Sequence, residues 1–233
     1  MNAGAAWYAS GREMFLRESV GSVVGKLAQN ATAQGLHVES QQHDEWLSSI
    51  GLLQRELRHR ALEVEILRAT LSAPELAEYR HVILEYDFRR RGLRMDCVLL
   101  GDEILVVIEF KRRRLGAADR EQVASYCINL VEFHEETRRL VTEENVIVAP
   151  ILTLTSGAVK EKTTTPGNVF DFHRAPWNAI LSDALQCDAK TLHVALLGAL
   201  SARRSRRTID CTCWLNSRFS PSSTILDAAI SLY

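Results

Sequence analysis

Two apolar runs and a short polar turn make up Arg94-Met-Asp-Cys-Val-Leu-Leu-Gly-Asp-Glu-Ile-Leu-Val-Val-Ile-Glu-Phe-Lys111. Apolar and β-branched residues on both sides of Gly101-Asp-Glu103 predict a tight β-hairpin. If Asp102 and Glu103 form a two-residue loop, Leu100 lies opposite Leu105. We expect this hairpin to form the centre of the sheet.

The same pairing brings charged side chains together on one face of the hairpin. It places Asp96 opposite Glu109, and because side chains alternate along a strand, Glu109 and Lys111 share that face. Two carboxylates at cross-strand distance repel each other and lose hydration on a half-buried sheet. A divalent cation such as Mg²⁺ or Mn²⁺ removes this conflict, because hard cations prefer carboxylate oxygens. The pattern therefore predicts a metal site.

A lysine beside metal-binding carboxylates suits the hydrolysis of phosphodiester bonds. The candidate metal ligands are Asp96 and Glu109, together with the main-chain carbonyl group of Phe110. Lys111 is the candidate catalytic residue that orients a water molecule or stabilises charge developing on a phosphate. The sequence thus predicts a metal-dependent hydrolase.

The helix that follows carries two further candidates, Gln122 and Tyr126, which are four residues apart and share a face. Asp96, then Glu109-Phe-Lys111, then Gln122-x-x-x-Tyr126 resemble the signature of the PD-(D/E)XK nuclease superfamily in its RecB-like branch. Met95 stands where the proline of that signature would be, a position that carries no chemistry. The resemblance implies an α/β, restriction-endonuclease-like core with a mixed β-sheet flanked by helices. It also implies a nuclease dependent on Mg²⁺ or Mn²⁺, with Gln122 and Tyr126 among the catalytic residues.

The preceding strand, predicted over residues 82–88, carries two more acids. If Arg91 and Gly92 form its turn, Asp87 lies opposite Asp96 and both Asp87 and Glu85 join the charged face. The alternative, equally weighted, is that these acids form ion pairs on the strand surface with the nearby arginines, namely Arg89, Arg90 and Arg94.

Arginines on both sides of the hairpin predict contact with a phosphate backbone. They lie where a nucleic acid would pass the metal site, and they imply no sequence readout. A solvated charged surface is the default for such runs, but their position favours the phosphate contact. The candidate nucleic-acid-binding residues are Arg89, Arg90, Arg91, Arg112, Arg113 and Arg114.

Periodicity predicts most of the other elements. Nucleases of the resembled class place a glutamate on a helix before the sheet, and Glu45 and Glu56 are the candidates, with a solvated helix face as the alternative. His134 is expected to cap or pack rather than to act as a base. The predicted helices cover residues 7–29, 41–71, 74–79, 118–140, 177–185, 190–200 and 224–233, and the predicted strands 146–154, 169–172 and 211–213.

Composition and charge narrow the class of protein. The chain has 233 residues, of which 46% are hydrophobic and 24% charged, and a formal net charge of −1. These values are typical of a globular protein whose nucleic-acid site is a local basic patch. No apolar run approaches the roughly 20 residues of a membrane-spanning helix, and the N-terminus lacks signal-peptide features. Five cysteines without a framework spacing favour a reducing cytoplasm.

A second resemblance spans most of the chain. Leu84-Glu-Tyr86, Phe133-His-Glu135, Pro150-Ile-Leu152 and Ser220-Pro-x-x-Thr224 resemble the N-terminal region of bacterial helicases with a Schlafen-group-3-like motor. In those proteins the phosphate loop of the motor follows soon after the last segment, whereas this sequence has no Walker motif. The resemblance implies a nuclease separated from a helicase or ATPase partner, and an association with phage defence.

This organisation predicts three regions. Residues 1–75 form a helical region packing on the core, residues 76–200 the nuclease-like core, and residues 201–233 a basic linker, strand and helix leading toward the absent motor. Three functions stay open: a nuclease, a catalytically silent nucleic-acid-binding module, and a domain that docks on the motor. Intact Asp96, Glu109 and Lys111 favour the nuclease, acting on DNA rather than RNA. The sequence leaves the oligomeric state open, a homo-oligomer included.

Overall fold

The computed structural model describes residues 5–33, 43–88, 92–159, 162–164, 180, 184–203 and 208–221, with the backbone alone at residues 33 and 43–53. Within these residues the elements follow one another in chain order, with a 3₁₀ turn at Pro74–Leu76. They are β1 Ala6–Gly11, α1 Arg12–Arg17, α2 Val20–Ala33, α3 His43–Leu71, β2 Tyr79–Phe88, β3 Leu93–Gly101, β4 Ile104–Lys111, α4 Ala117–Phe133, α5 Glu135–Glu144, β5 Ile147–Leu154, β6 Leu185–Asp188, α6 Leu192–Ser201 and α7 Cys211–Leu215.

The strands form one six-stranded mixed sheet in the order β1-β2-β3-β4-β5-β6. Strands β1 to β4 are antiparallel neighbours, and β4, β5 and β6 run parallel. Helices cover both faces, so the predicted α/β fold with a mixed, helix-flanked sheet is confirmed. None of the helices in the described ranges is long and apolar enough to cross a membrane.

The central hairpin, β3–β4, has the predicted loop. Leu100 pairs with Leu105, and Glu103 has a φ of 55° in the turn. The ladder ends at Cys97 and Ile108. Asp96 and Glu109 are the next positions in that register, so they lie where the two strands separate.

Each face of the sheet has its own apolar core, because successive side chains of β4 point to opposite sides. Val106 and Ile108 pack with the α1, α2, α3 and α6 side chains, whereas Leu105 and Val107 pack with those of α4, α5 and α7. We refer to these as the α3 face and the α4 face. All four residues are fully buried, and each contributes about 1.5–3 kcal/mol on transfer from water.

The alternation is interrupted at one row that crosses β2 and β3. Ile83 and Tyr86 both lie on the α4 face although they are three residues apart. The residue responsible is Glu85, whose φ of 51° places it in the left-handed region inside a strand. Its cross-strand neighbour Asp96 marks the same interruption on β3, since Met95 lies on the α4 face and Cys97 on the α3 face. Two carboxylates therefore stand where the sheet departs from regular geometry.

The predicted register between β2 and β3 was wrong. The strands pair Asp87 with Arg94 and Phe88 with Leu93, so residues 89–92 form the connection and not a two-residue turn at Arg91-Gly92. Gly92 has a φ of 62°, which a glycine adopts without steric cost. Consequently Glu85, and not Asp87, lies opposite Asp96.

Several predicted elements need correction. Residues 6–11 form β1 at the sheet edge and not the start of a helix, because they pair antiparallel with residues 81–86 of β2. The helix predicted over residues 118–140 is divided at His134, which caps α5 by accepting a hydrogen bond from the Thr137 amide. The predicted strand at Cys211–Cys213 is the short helix α7, whose N-cap is Asp210.

The helix predicted over residues 74–79 is a 3₁₀ turn at Pro74–Leu76, because Tyr79 already pairs with Gly101 in β2. The remaining predictions are confirmed, differ at one end, or lie outside the described residues. Helix α3, the buried parallel strand β5 and helix α6 are confirmed. Leu185 belongs to strand β6, not to the end of a helix, because it pairs in parallel with Ile151. The predictions for residues 89–91, 169–172 and 224–233, and most of that for residues 177–185, concern positions that are not described.

The C-terminal described segment is attached to the α4 face through an aromatic cluster of four rings. Their centroids lie 4.6 Å (His134–Trp214), 4.7 Å (Tyr86–Trp214) and 5.4 Å (His134–Phe219) apart. Trp214 is fully buried and donates from Nε1 to Thr137 Oγ1 at 2.8 Å. We call Tyr86, His134, Trp214 and Phe219 the aromatic cluster.

Candidate active site

The candidate site lies where β3 and β4 separate. The separation leaves the Phe110 amide without a cross-strand carbonyl partner, and Asp96 Oδ2 accepts a hydrogen bond from that amide at 2.9 Å. The Asp96 carboxylate is thus held in the plane of the sheet beside Glu109. In this geometry the part of Phe110 that contacts a site carboxylate is its N–H group.

A chain of hydrogen bonds leads from β4 to α4. Lys111 Nζ donates to Glu109 Oε1 at 3.0 Å and to Gln122 Oε1 at 2.8 Å, and Gln122 Nε2 donates to Tyr126 OH at 2.6 Å. Asp119 Oδ1 lies 3.5 Å from the same lysine nitrogen. All four residues of the predicted lysine site are therefore brought into contact, and α4 fixes the direction of the lysine.

Glu109 is the buried carboxylate of this chain of hydrogen bonds. Its side chain is 7% exposed, and burial, followed by the nearby charge of Asp96, raises its pKa to about 8. The hydrogen bond from Lys111 opposes that rise. Glu109 Oε2 receives no hydrogen bond within the described part of the chain, so a buried oxygen acceptor faces the site.

Lys111 stays an ammonium group at neutral pH. Burial acts to lower its pKa, but the hydrogen bond and charge of Glu109 and the charges of Asp119 and Asp96 outweigh that effect and raise the pKa above its usual value. The Tyr126 hydroxyl also has a raised pKa, chiefly through burial. The two groups are therefore a cation and a neutral hydroxyl.

Three carboxylates on the α3 face surround a single nitrogen of Arg60. Arg60 Nη1 lies 2.8 Å from Glu63 Oε2, 2.8 Å from Glu85 Oε1 and 3.1 Å from Asp96 Oδ1. Burial, followed by the Asp96 and Glu85 charges, raises the pKa of Glu63 to about 8, although Arg60 opposes the rise. We call Glu63, Glu85 and Asp96 the carboxylate cluster.

Glu85 is held from both sides by arginines. Arg94 Nε lies 2.7 Å from Glu85 Oε2 and its guanidinium stacks 4.5 Å above the Trp7 ring. Burial raises the pKa of Glu85 to about 7, and Arg60 and Arg94 limit that rise. The predicted ion pair with Arg94 is therefore present, whereas Glu85 reaches the α3 face and not the face on which Lys111 contacts α4.

Arg60, Glu63 and Asp119 are site residues that the sequence did not predict. The prediction that a helix contributes an acid named Glu45 and Glu56, but Glu56 is exposed and the side chain of Glu45 lies outside the described residues. Glu63 follows Glu56 by seven residues and therefore lies on the same helix face two turns later. Its neighbour Val64, which is buried, was the available signal that this turn packs on the sheet.

The predicted phosphate-binding arginines are partly placed. Arg112, Arg113 and Arg114 follow β4 directly and are exposed, next to Lys111. Arg89, Arg90 and Arg91 lie outside the described residues. Asp87 lies opposite Arg94 on β3 and not opposite Asp96, so the structure separates it from the site row.

The donor set fits Mg²⁺ or Mn²⁺ through a pair of carboxylates. No group of three or more histidine, cysteine, aspartate and glutamate side chains in the described ranges is arranged to hold a metal ion. Mg²⁺ is commonly held by one or two carboxylates, with water and substrate phosphate completing the set. Asp96 and Glu109 meet this smaller requirement, because they occupy the next positions of the β3–β4 register and, among the described residues, none donates a hydrogen bond to Glu109 Oε2.

No protein-family model, curated protein or solved structure matches this chain. The candidate site is described by the polar residues that line it. Those residues form two connected groups that meet at Asp96, one from Arg60 on the α3 face and one from Lys111 on the α4 face.

Proposed function

We propose that this protein is a metal-dependent nuclease that hydrolyses phosphodiester bonds of nucleic acid, with DNA favoured over RNA. The observation that carries the proposal is the contact between Lys111, Glu109, Gln122 and Tyr126 beside Asp96 at the separating strand ends. A buried acid with an orphan oxygen next to a second carboxylate is unfavourable for folding alone. The arrangement is consistent with a catalytic use.

Asp96 and Glu109 are the side chains that would hold Mg²⁺ or Mn²⁺. When bound, the cation would neutralise charge on the phosphate and lower the pKa of a water molecule. Lys111, which carries a positive charge, would stabilise charge developing on the scissile phosphate. Gln122 would orient the Lys111 side chain by accepting its hydrogen bond, and Tyr126 would orient the Gln122 amide.

The exposed run from Arg112 to Arg114 supports a nucleic-acid substrate. It begins one residue after Lys111, so a phosphate backbone that contacts it also passes the candidate site. Contacts of this kind predict binding that weakens steeply with salt and reads no sequence. A helicase or ATPase partner, a role in phage defence and a cytoplasmic location belong to the same proposal, the last because all five cysteines are free thiols.

Cleavage assays test the proposal. Labelled linear, circular and single-stranded DNA and RNA are incubated with Mg²⁺, Mn²⁺ or EDTA, and we expect cutting that EDTA abolishes. Asp96→Asn and Lys111→Ala should each lower the rate by at least about 100-fold. Asp102→Asn is the matched control, because Asp102 is a carboxylate at the opposite end of the same hairpin. Equal rates in Asp96→Asn and Asp102→Asn would contradict the assignment.

A catalytically silent nucleic-acid-binding or motor-docking module is the second candidate. The observation that favours it is that each of the four acids Glu63, Glu85, Asp96 and Glu109 already contacts at least one of the cations Arg60, Arg94 and Lys111. Such a module binds nucleic acid with the same affinity in EDTA and in Mg²⁺ and cuts none of the substrates. That result would replace the nuclease proposal.

A further inference from the structure

The position of Arg60 is unusual for an arginine in an ion pair. Arginine normally presents two nitrogens to one carboxylate in a planar fork. Here a single nitrogen, Nη1, is within 3.1 Å of carboxylate oxygens from three elements, Glu63 on α3, Glu85 on β2 and Asp96 on β3. One nitrogen has only two hydrogens. It donates hydrogen bonds to Glu63 and Asp96, so it attracts Glu85 by charge alone.

The side chains around Arg60 favour a positive charge at this position. The side chains of Glu63, Glu85 and Asp96 are 14%, 1% and 15% exposed, so their mutual repulsion is poorly screened by water. The three carboxylates line one recess with Arg60, and its other walls include Leu84 and Phe110. In such a recess a carboxylate cluster needs a positive charge to remain ionised.

Backbone strain brings Glu85 to this cation. Regular alternation would direct Glu85 to the α4 face, beside Ile83 and away from α3. Its left-handed conformation, with a φ of 51°, instead places its carboxylate against Arg60 of α3. A non-glycine residue in this conformation persists only where surrounding contacts hold it, and the ion pairs with Arg60 and Arg94 are such contacts.

Asp96 belongs to both groups of the site. Its Oδ1 atom contacts Arg60 and its Oδ2 atom accepts from the Phe110 amide, so both oxygens are in use. Glu109, its neighbour across the strands, keeps Oε2 without a donor in the described part of the chain. A cation that binds Asp96 and Glu109 together therefore has to compete with Arg60 for Asp96 Oδ1.

We propose that Arg60 is an internal counter-ion that competes with a divalent cation for Asp96. The guanidinium holds the carboxylate cluster together when no divalent cation is bound, and it lowers the affinity of the site for that cation. Binding of the metal releases the contact between Arg60 and Asp96, while Glu63 and Glu85 retain the arginine. This inference rests on the proposed metal site at Asp96 and Glu109.

The test is the affinity for Mn²⁺, measured by calorimetry on the purified chain without nucleic acid. Arg60→Met removes the charge and keeps the length of the side chain, and we expect it to bind Mn²⁺ about tenfold more tightly than the wild type, as for a competing contact of moderate strength. Arg58→Met is the matched control, because Arg58 is exposed on the same helix, and its affinity should equal that of the wild type. Equal or weaker binding by Arg60→Met would overturn the proposal.

Thermal unfolding in EDTA and in Mn²⁺ gives a second measurement. Arg60→Met should unfold at a lower temperature than the wild type in EDTA, and Mn²⁺ should recover most of the loss. If Arg60→Met does not fold, Arg60→Lys serves instead, because it keeps a positive charge and removes the guanidinium group that donates to Glu63 and Asp96. Arg60→Lys should bind Mn²⁺ more tightly than the wild type, and an unchanged affinity counts against the proposal.

Asp96→Asn separates this inference from the proposed nuclease activity. Tighter Mn²⁺ binding by Arg60→Met, abolished when Asp96→Asn is added, supports the counter-ion even if no substrate is cut. Metal-dependent cutting with unchanged Mn²⁺ affinity in Arg60→Met keeps the nuclease and rejects the counter-ion. Absence of any Mn²⁺ binding that depends on Asp96 rejects both.

Discussion

The carboxylate cluster and the aromatic cluster are both buried against β2, one on each face of the sheet, but they are built in opposite ways. Glu63, Glu85 and Asp96 depend on Arg60 for charge compensation, and the acids Glu63 and Glu85 have raised pKa values. The aromatic cluster is neutral, and Thr137 supplies the hydrogen-bond partners of both His134 and Trp214. The two clusters include consecutive residues of β2, Glu85 and Tyr86.

The difference shows which polar group serves the fold. Neutral polar groups that are buried and hydrogen-bonded stabilise a unique packing at little cost. Buried ion clusters rarely improve on apolar residues of the same size. Stabilisation of the fold therefore explains the aromatic cluster. It does not explain the carboxylate cluster, which adjoins Glu109 and Lys111 and for which we infer a functional role.

Substitution of Trp214 should show how much the aromatic cluster stabilises the fold. Trp214 is fully buried, contacts two rings of its cluster and donates to Thr137. We expect Trp214→Ala to lower the free energy of unfolding by about 3–5 kcal/mol, because it removes a large core side chain and leaves a cavity. Urea unfolding followed by far-ultraviolet circular dichroism measures the change.

The control for this substitution is Cys213→Ala, the preceding residue of α7, whose side chain is exposed. It should change the free energy of unfolding by less than about 0.5 kcal/mol. If Trp214→Ala were as mild as Cys213→Ala, the segment at residues 208–221 would not be held by this cluster.

Short-range patterns predicted one half of the site. A two-residue loop fixes the register of a hairpin, so Leu100 and Leu105 were paired correctly from the sequence. Residues four apart on a helix share a face, and Gln122 and Tyr126 do form a hydrogen bond. Because both relations are set within a few residues, local chemistry determines them.

The other half of the site depends on contacts between distant segments. Arg60 meets Asp96 only because α3 packs across the sheet, and the helical period does not say which strand a given turn will reach. Glu85 was misplaced because its left-handed backbone and the longer β2–β3 connection are not encoded in an alternating pattern. Trp7 belongs to strand β1, which pairs with β2 about 75 residues later, so the local spacing of apolar residues wrongly predicted a helix there.

His134 should give stability a dependence on pH that sharpens the comparison. Its Nδ1 atom accepts from the Thr137 amide and faces the Thr137 hydroxyl, and burial lowers its pKa from 6.5 to about 3. Between these two pH values the unfolded chain binds the proton more tightly than the folded chain. The stability from neutral His134 is therefore complete above pH 6.5 and is lost as pH falls toward 3.

The free energy of unfolding, measured from pH 3.5 to 7, tests this prediction. His134 should make it fall with decreasing pH by at most about 1.4 kcal/mol per pH unit. His134→Asn should remove that slope, since asparagine can cap α5 but does not titrate. His193→Asn, at an exposed position of α6, should retain it. An unchanged slope in His134→Asn would assign the acid sensitivity to another group.

Glu63 should show the opposite dependence on pH, and a smaller effect. Burial is the largest cause of its raised pKa, from 4.5 to about 8, so the folded chain binds this proton more tightly than the unfolded chain. The stability that the protonated group contributes is complete below pH 4.5 and is lost as pH rises through 8.

The substitution Glu63→Gln tests this dependence. In EDTA at pH 9, the free energy of unfolding of Glu63→Gln should exceed that of the wild type by roughly 1 kcal/mol, because glutamine keeps an acceptor for Arg60 without the buried charge. At pH 5 the two proteins should agree. Glu65→Gln, exposed on the same helix, should match the wild type at both pH values. A loss of stability in Glu63→Gln at pH 9 would mean that attraction to Arg60 exceeds the cost of burying the carboxylate. The carboxylate cluster would then stabilise the fold as the aromatic cluster does, and the contrast between the two would no longer point to a function.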